Sequence, residues 1–176
     1  MKTLLKVCVS FLGLLACLPV AAQSEPNQEV QGSAAIQVGE VISGKVFDVA
    51  SGETFRMITA ENREIEVWLA EIEAPEKGQV YWDTSMQVLA EKVLGNEVII
   101  QVVNIKDMED GYDYVIAQVY VGNRWINREM VAQGWAWHFP QYLESPELDQ
   151  AELQAKENLR GLWAIANPEK TMGILK

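Results

Sequence analysis

Val67-Trp68-Leu69-Ala70-Glu71-Ile72-Glu73-Ala74-Pro75-Glu76 opens as a β-strand and is then forced out of the sheet. Successive side chains of a strand point to opposite faces, so Ile65, Val67 and Leu69 share one face and Glu64, Glu66 and Trp68 the other. One side is apolar and suited to a core, and the other is charged and faces water. Pro75 has no N–H to give to a ladder, so Ala74-Pro75-Glu76 must leave the sheet. Glu73 and Glu76 stand at this exit, and Glu64, Glu66 and Glu71 make the strand before it charge-rich.

Working outward, the same two-residue period appears on both sides. Gln37–Val49 and Thr54–Ala60 read as strands joined by the turn Ser51-Gly52, and Glu61-Asn62 is a hairpin turn leading into the strand Arg63–Ile72. Met86, Leu89, Ala90 and Val93 recur at helical spacing, which predicts a helix over Trp82–Leu94 stopped by Gly95. Glu97–Ile105 and Tyr112–Val121 read as strands separated by the acidic loop Lys106–Gly111. Asn127 suits the N-cap of a short helix ended by Gly134. Ser145-Pro146 supplies a cap and an N1 proline for a last helix over about Glu147–Arg160, with Ala151, Leu153, Ala155 and Leu159 expected to pack. There is no internal repeat. The order predicts an α+β, mainly β, fold: a five-stranded OB-fold barrel with about three helices.

The ends read differently. Met1–Lys6 is basic, Val7–Val20 is almost wholly apolar, and Val20-Ala21-Ala22 has the small residues of a cleavage site, so residues 1–22 are expected to be a secretory signal peptide. The run is too short for a stable membrane span. Leu14-Leu15-Ala16-Cys17 also resembles a lipobox, and a lipoprotein anchored at Cys17 is the competing reading. Residues 23–36 read as a flexible leader, 37–168 as the domain and 169–176 as a tail. The expected location is secreted or periplasmic, and the expected state monomeric. Cleavage after Ala22 removes both cysteines, excluding a disulfide or Cys-based zinc site from the mature chain. It takes Lys+Arg from 14 to 12 against 25 Asp+Glu, moving the net charge from −11 to −13. A polyanion ligand prefers a basic face, so the charge disfavours nucleic acid, and no Lys/Arg cluster offsets it.

The quoted stretch resembles the R-L-x-G-I-D-A-P-E signature of the staphylococcal-nuclease (thermonuclease) family. Ser51-Gly52-Glu53-Thr54 resembles its D-G-D-T turn, and Asp110-Gly111-Tyr112-Asp113-Tyr114 its D-R-Y-G-R segment. Trp125-Ile126-Asn127, Gln133-Gly134-Trp135-Ala136 and Arg160-Gly161-Leu162-Trp163 follow in family order, so the likeness covers about Gly44 to Pro168. The resemblance implies calcium-dependent hydrolysis of nucleic-acid phosphodiesters, with two aspartates on the ion, a glutamate handling water and two arginines on the phosphate. Carried over, Glu76 takes the place of the base, Glu53 and Glu73 those of the calcium ligands, and Tyr112 keeps its family place. Trp68 and Tyr114 stand where the arginines would be, and neither Arg56 nor Arg63 is an obvious substitute.

Cationic donors aimed at the reacting oxygens carry much of such catalysis. The expectation is therefore a domain weak or inactive as a nuclease, keeping a cation- or ligand-binding pocket. An active phosphodiesterase of altered substrate, or a periplasmic interaction module, are the alternatives. The acids read either as a divalent-cation site or as a solvated, charge-rich edge. Trp68, Tyr112 and Tyr114 are candidates for stacking a ligand, or for packing into the vacated place. Tyr142 is a further candidate for the wall of the site. The lone His138 reads as a packed ring.

Overall fold

The computed structural model describes residues 35–106 and 113–164. The signal-peptide segment, most of the leader, Tyr112 and the tail lie outside the described residues.

Strands β1 (Val41–Val49), β2 (Thr54–Thr59) and β3 (Glu64–Leu69) form an antiparallel meander. Residues Ile72–Glu73 form a two-residue strand, β4, and Trp82–Val93 the helix α1. Strands β5 (Glu97–Lys106) and β6 (Asp113–Val121) pair with each other, and β5 also pairs with β1. The ring closes by a parallel pairing of β3 with β6, in which Glu66 faces Tyr114 and Trp68 faces Ile116. This is the expected five-stranded barrel. Irregularities between Val46 and Asp48 and between Val102 and Asn104 supply the bends that closure needs. A two-residue strand, β7 (Arg124–Trp125), leads into helix α2 (Ile126–Ala132), and β8 (Trp137–His138) pairs back onto β4. Helix α3 (Pro146–Glu157) and a 3-10 turn at Gly161–Ala164 complete the described chain.

Alternation along the strands fills the barrel. Phe55, Met57, Ile65, Val67, Ile100, Val115 and Val119 are buried in it, and Ile126, Met130 and Leu148 join them from the helices. Each such large side chain contributes about 1.5–3 kcal/mol by leaving water. Ile36, at the end of the expected leader, belongs to this core. A second cluster of Trp137, Ala155, Leu162 and Trp163 sits under the 3-10 turn.

Three local expectations are corrected. In α1 the buried face is Ser85, Leu89, Lys92 and Val93, rotated from the apolar set, because Ser85 packs against Gly52 and Lys92 meets Glu129. In α3 Leu148, Ala151 and Ala155 are buried, whereas Leu153 falls off that i, i+3, i+7 stripe and Leu159 lies past the helix end at Glu157, so both are exposed. Asn127 is not a cap, because Trp125 holds the N-cap position. The Asn127 amide is fully buried, donating to the carbonyls of Ala70 (2.9 Å) and Ala117 (3.1 Å) and accepting from the Val119 N–H (2.9 Å). It therefore ties the corner after β3 to β6, at the point where the two strands part.

Candidate functional site

The turn between β1 and β2 is pressed against α1. A Cβ on Gly52 would lie 2.0 Å from Ser85 Oγ, so only glycine fits. Ser51 Oγ accepts the Glu53 N–H, and the Glu53 carbonyl accepts the Leu69 N–H at 2.8 Å. These bonds bring Glu53 to the end of β3, twenty residues before Glu73 in sequence. There the Glu53 Oε2 accepts the Ala74 N–H at 2.6 Å. Pro75 carries the chain away, and the Glu76 N–H is held by Gln79 Oε1 at 2.8 Å.

Glu53, Glu73 and Glu76 line one cleft of about 240 Å³. Trp68 and Lys106 form one side, and Phe139, Gln141 and Tyr142 another. Glu53 keeps some surface as a residue, but its carboxylate is enclosed. Burial, with repulsion from Glu73 and Glu76 added, pushes its carboxyl up to about 7 against the pull of the Ala74 N–H. Burial and then the neighbouring Glu76 also raise Glu73. The cleft is thus short of positive charge.

Trp68 and Tyr114 part company. Trp68 lines the acidic cleft, its indole N–H fixed to Glu66 Oε1 at 2.9 Å. Tyr114 lines a neighbouring hollow of about 170 Å³ with Arg56, Glu64 and Glu66. Arg56 is engaged there by Asp48 at 2.7 Å and Glu64 at 3.5 Å. His138 lies outside the acidic cleft. Its buried ring bonds Asp149 through Nδ1 at 2.9 Å and borders a separate cleft of about 500 Å³.

Sequence reasoning missed Lys106. Its ammonium sits 3.5 Å above the centroid of the Trp68 ring, a cation–π contact that covers one face of the indole. Trp68 thus holds a cation contributed by the end of β5. The only sequence signal was a basic residue closing a strand beside an acidic loop. Sequence reasoning also missed Glu71, which is buried and supports the wall that carries Gln141 and Tyr142.

The acids have the hard oxygen donors that calcium prefers. They do not form a ready-made set, since among the described residues no three His, Cys, Asp or Glu side chains stand close enough to hold a metal ion. Glu53 has also committed one oxygen to Ala74. Among the described residues no helix is long and apolar enough to cross a membrane.

The chain is similar to known proteins over most of this region. A "Staphylococcal nuclease homologue" family model matches residues 66–165. An "Uncharacterized endonuclease" of Haemophilus influenzae is 37% identical over 124 residues, which is 70% of this chain and 67% of that protein. An "Uncharacterized endonuclease" of Escherichia coli is 31% identical over 128 residues, 72% of this chain and 80% of that protein. A "Probable staphylococcal-like nuclease CAN3" of Oryza sativa subsp. japonica is 34% identical over 108 residues, of which the match spans 61% of this chain but 28% of the rice protein. With the barrel, the ordered landmarks and these relatives in agreement, the chain belongs to the staphylococcal nuclease homologue family.

Proposed function

We propose that this is a nuclease-family domain whose phosphodiester hydrolysis is impaired and whose acidic cleft binds divalent cations weakly, by drawing Glu53 and Glu73 together. The observation that carries this reading is the charge of the cleft: Glu53, Glu71, Glu73 and Glu76 line it with one lysine, and an aromatic ring fills the place of a guanidinium. A phosphodiester gains negative charge toward its transition state, and losing one donor aimed at that charge costs roughly 10²–10³ in rate. Glu76 is the proposed base, being at the rim of the cleft and exposed to water. Placement outside the cytoplasm is proposed from residues 1–22, and the N-terminal residue of exported protein tests it.

The test is hydrolysis of DNA and RNA by the chain from Gln23, with calcium and with chelator. Little or no cleavage is expected. Brisk cleavage lost in Glu76→Ala overturns the reading. Trp68→Arg puts a guanidinium into the cleft and is expected to raise the rate on the order of 10². Tyr114→Arg, next to Glu64 and Glu66 in the neighbouring hollow, is expected to add little.

Lys106 favours a second reading, a slow phosphodiesterase that uses this ammonium as its one cation. In that case Lys106→Met abolishes the residual rate. If a residual rate persists in that variant, this second reading fails.

A further inference from the structure

Glu71 stands at the corner between β3 and β4 with φ 61, in the left-handed region. A non-glycine residue there is strained, and something must offset it. The residue is 3% exposed, so water does not repay the strain. Its carboxylate does. Oε2 accepts the Gln141 N–H at 2.8 Å, and Oε1 accepts those of Tyr142 at 2.9 Å and Leu143 at 3.0 Å. The Glu71 carbonyl accepts the Phe139 N–H at 2.9 Å as well.

The segment 139–143 is neither helix nor strand, so it has no ladder of its own. Residues 140–143 are exposed, but the three bonds to Glu71 are part-buried, and one carboxylate satisfies three N–H groups in succession. The same segment is the partition between two clefts. Gln141 and Tyr142 line both the acidic cleft and the larger one beside His138.

We propose that Glu71 is a positioning residue: its buried carboxylate sets the 139–143 wall, and thereby the width of the acidic cleft and the size of ligand admitted there. The wall is argued from the hydrogen bonds alone; its effect on a ligand rests on the proposed reading of the cleft. Glu71 borders the cleft, but both its carboxylate oxygens are taken by backbone N–H groups of the wall. It acts through Gln141 and Tyr142.

Glu71→Gly separates the two properties of the residue, because glycine adopts this backbone freely and has no carboxylate. Folded Glu71→Gly is expected to exchange the amides of Gln141, Tyr142 and Leu143 at least tenfold faster, with the barrel amides unchanged. Added acetate, a free carboxylate, is expected to restore part of that protection. Unchanged exchange at the three amides overturns the proposal. Should Glu71→Gly not fold, Glu71→Gln decides. Its one carbonyl oxygen can keep the Tyr142 and Leu143 bonds while its NH2 faces the Gln141 N–H, so Gln141 alone is expected to speed up. Equal protection at Gln141 and Leu143 overturns the proposal. Calcium titration by calorimetry runs alongside. No heat with the parent removes the cation reading of the cleft and leaves exchange to decide the anchor. Heat with the parent and several-fold weaker binding in Glu71→Gly supports both.

Discussion

Two groups of charge in this molecule are treated in opposite ways. Between α1 and α2, Glu129 accepts from Lys92 and from Arg124, and these partners hold its carboxyl below the usual range. In the acidic cleft Glu53, Glu73 and Glu76 share Lys106 alone among the described lining residues, and Glu53 and Glu73 are held above the usual range. The first arrangement is one that folding favours, since each buried charge has an opposite neighbour. The second works against folding, and a cluster left unbalanced in a cleft is where a ligand or proton has something to gain.

The largest effect is expected where the balance is best. Glu129→Ala leaves the Lys92 ammonium, 8% exposed, without its carboxylate and is expected to cost about 3 kcal/mol. Arg124 does most to lower the Glu129 carboxyl, but it is half exposed and finds water when the carboxylate is removed, so the cost falls mainly on Lys92. The parent's stability from Glu129 is present above the unfolded carboxyl value and lost as pH falls through the lower folded one. Urea denaturation at neutral pH measures the cost. A loss well under 1 kcal/mol shows that Lys92 finds water, and the contrast between the two clusters dissolves.

Glu53→Gln is the converse experiment. Glu53 is raised from 4.5 to about 7, so the native state holds its proton more tightly than the unfolded chain. That stability is complete below the unfolded value and is lost as pH rises through about 7. Glutamine keeps an acceptor for Ala74 and never ionises. In calcium-free buffer Glu53→Gln should match the parent near pH 4 and exceed it by about 3 kcal/mol at pH 8. Equal urea midpoints at pH 8 would mean that the carboxylate is already solvated or paired.

How far the sequence carries differs between these same regions. The barrel was legible because Ile65, Val67 and Leu69 alternate with Glu64, Glu66 and Trp68, and burial follows that period. The carboxylates of the cleft were legible through the landmarks that place Glu53, Glu73 and Glu76. The partners were not. Lys106 reaches Trp68 only because β6 pairs with β3 on one side and β5 on the other, setting Tyr114 opposite both Glu66 and Lys106. Nothing local announces a parallel closure. Asn127 looks like a cap because the residue type suits one, yet its amide serves Ala117 and Val119 on β6 and, across 57 residues of sequence, Ala70. Strands β4, β7 and β8 have two residues each, too few to show a period.

The smallest effect on stability, and the sharpest probe of the cleft, is expected from Lys106→Met. A cation over an indole at a partly exposed site is worth about 0.5–1 kcal/mol, so the urea midpoint should barely move. The charge of the cleft should move much more. Methionine retains the length and apolar stem of lysine and removes the ammonium that faces Trp68 at 3.5 Å and draws Glu53 downward. Trp68 emission, isolated by subtracting the same pair of spectra in a Trp68→Phe background, is expected to change on removal of that ammonium. An unchanged difference spectrum would place Lys106 away from the ring in solution. Because a cation no longer competes for the carboxylates, calcium binding is expected to strengthen several-fold. If it weakens instead, Lys106 is organising the acids rather than neutralising them, and the cleft resembles the Glu129 cluster more than its opposite.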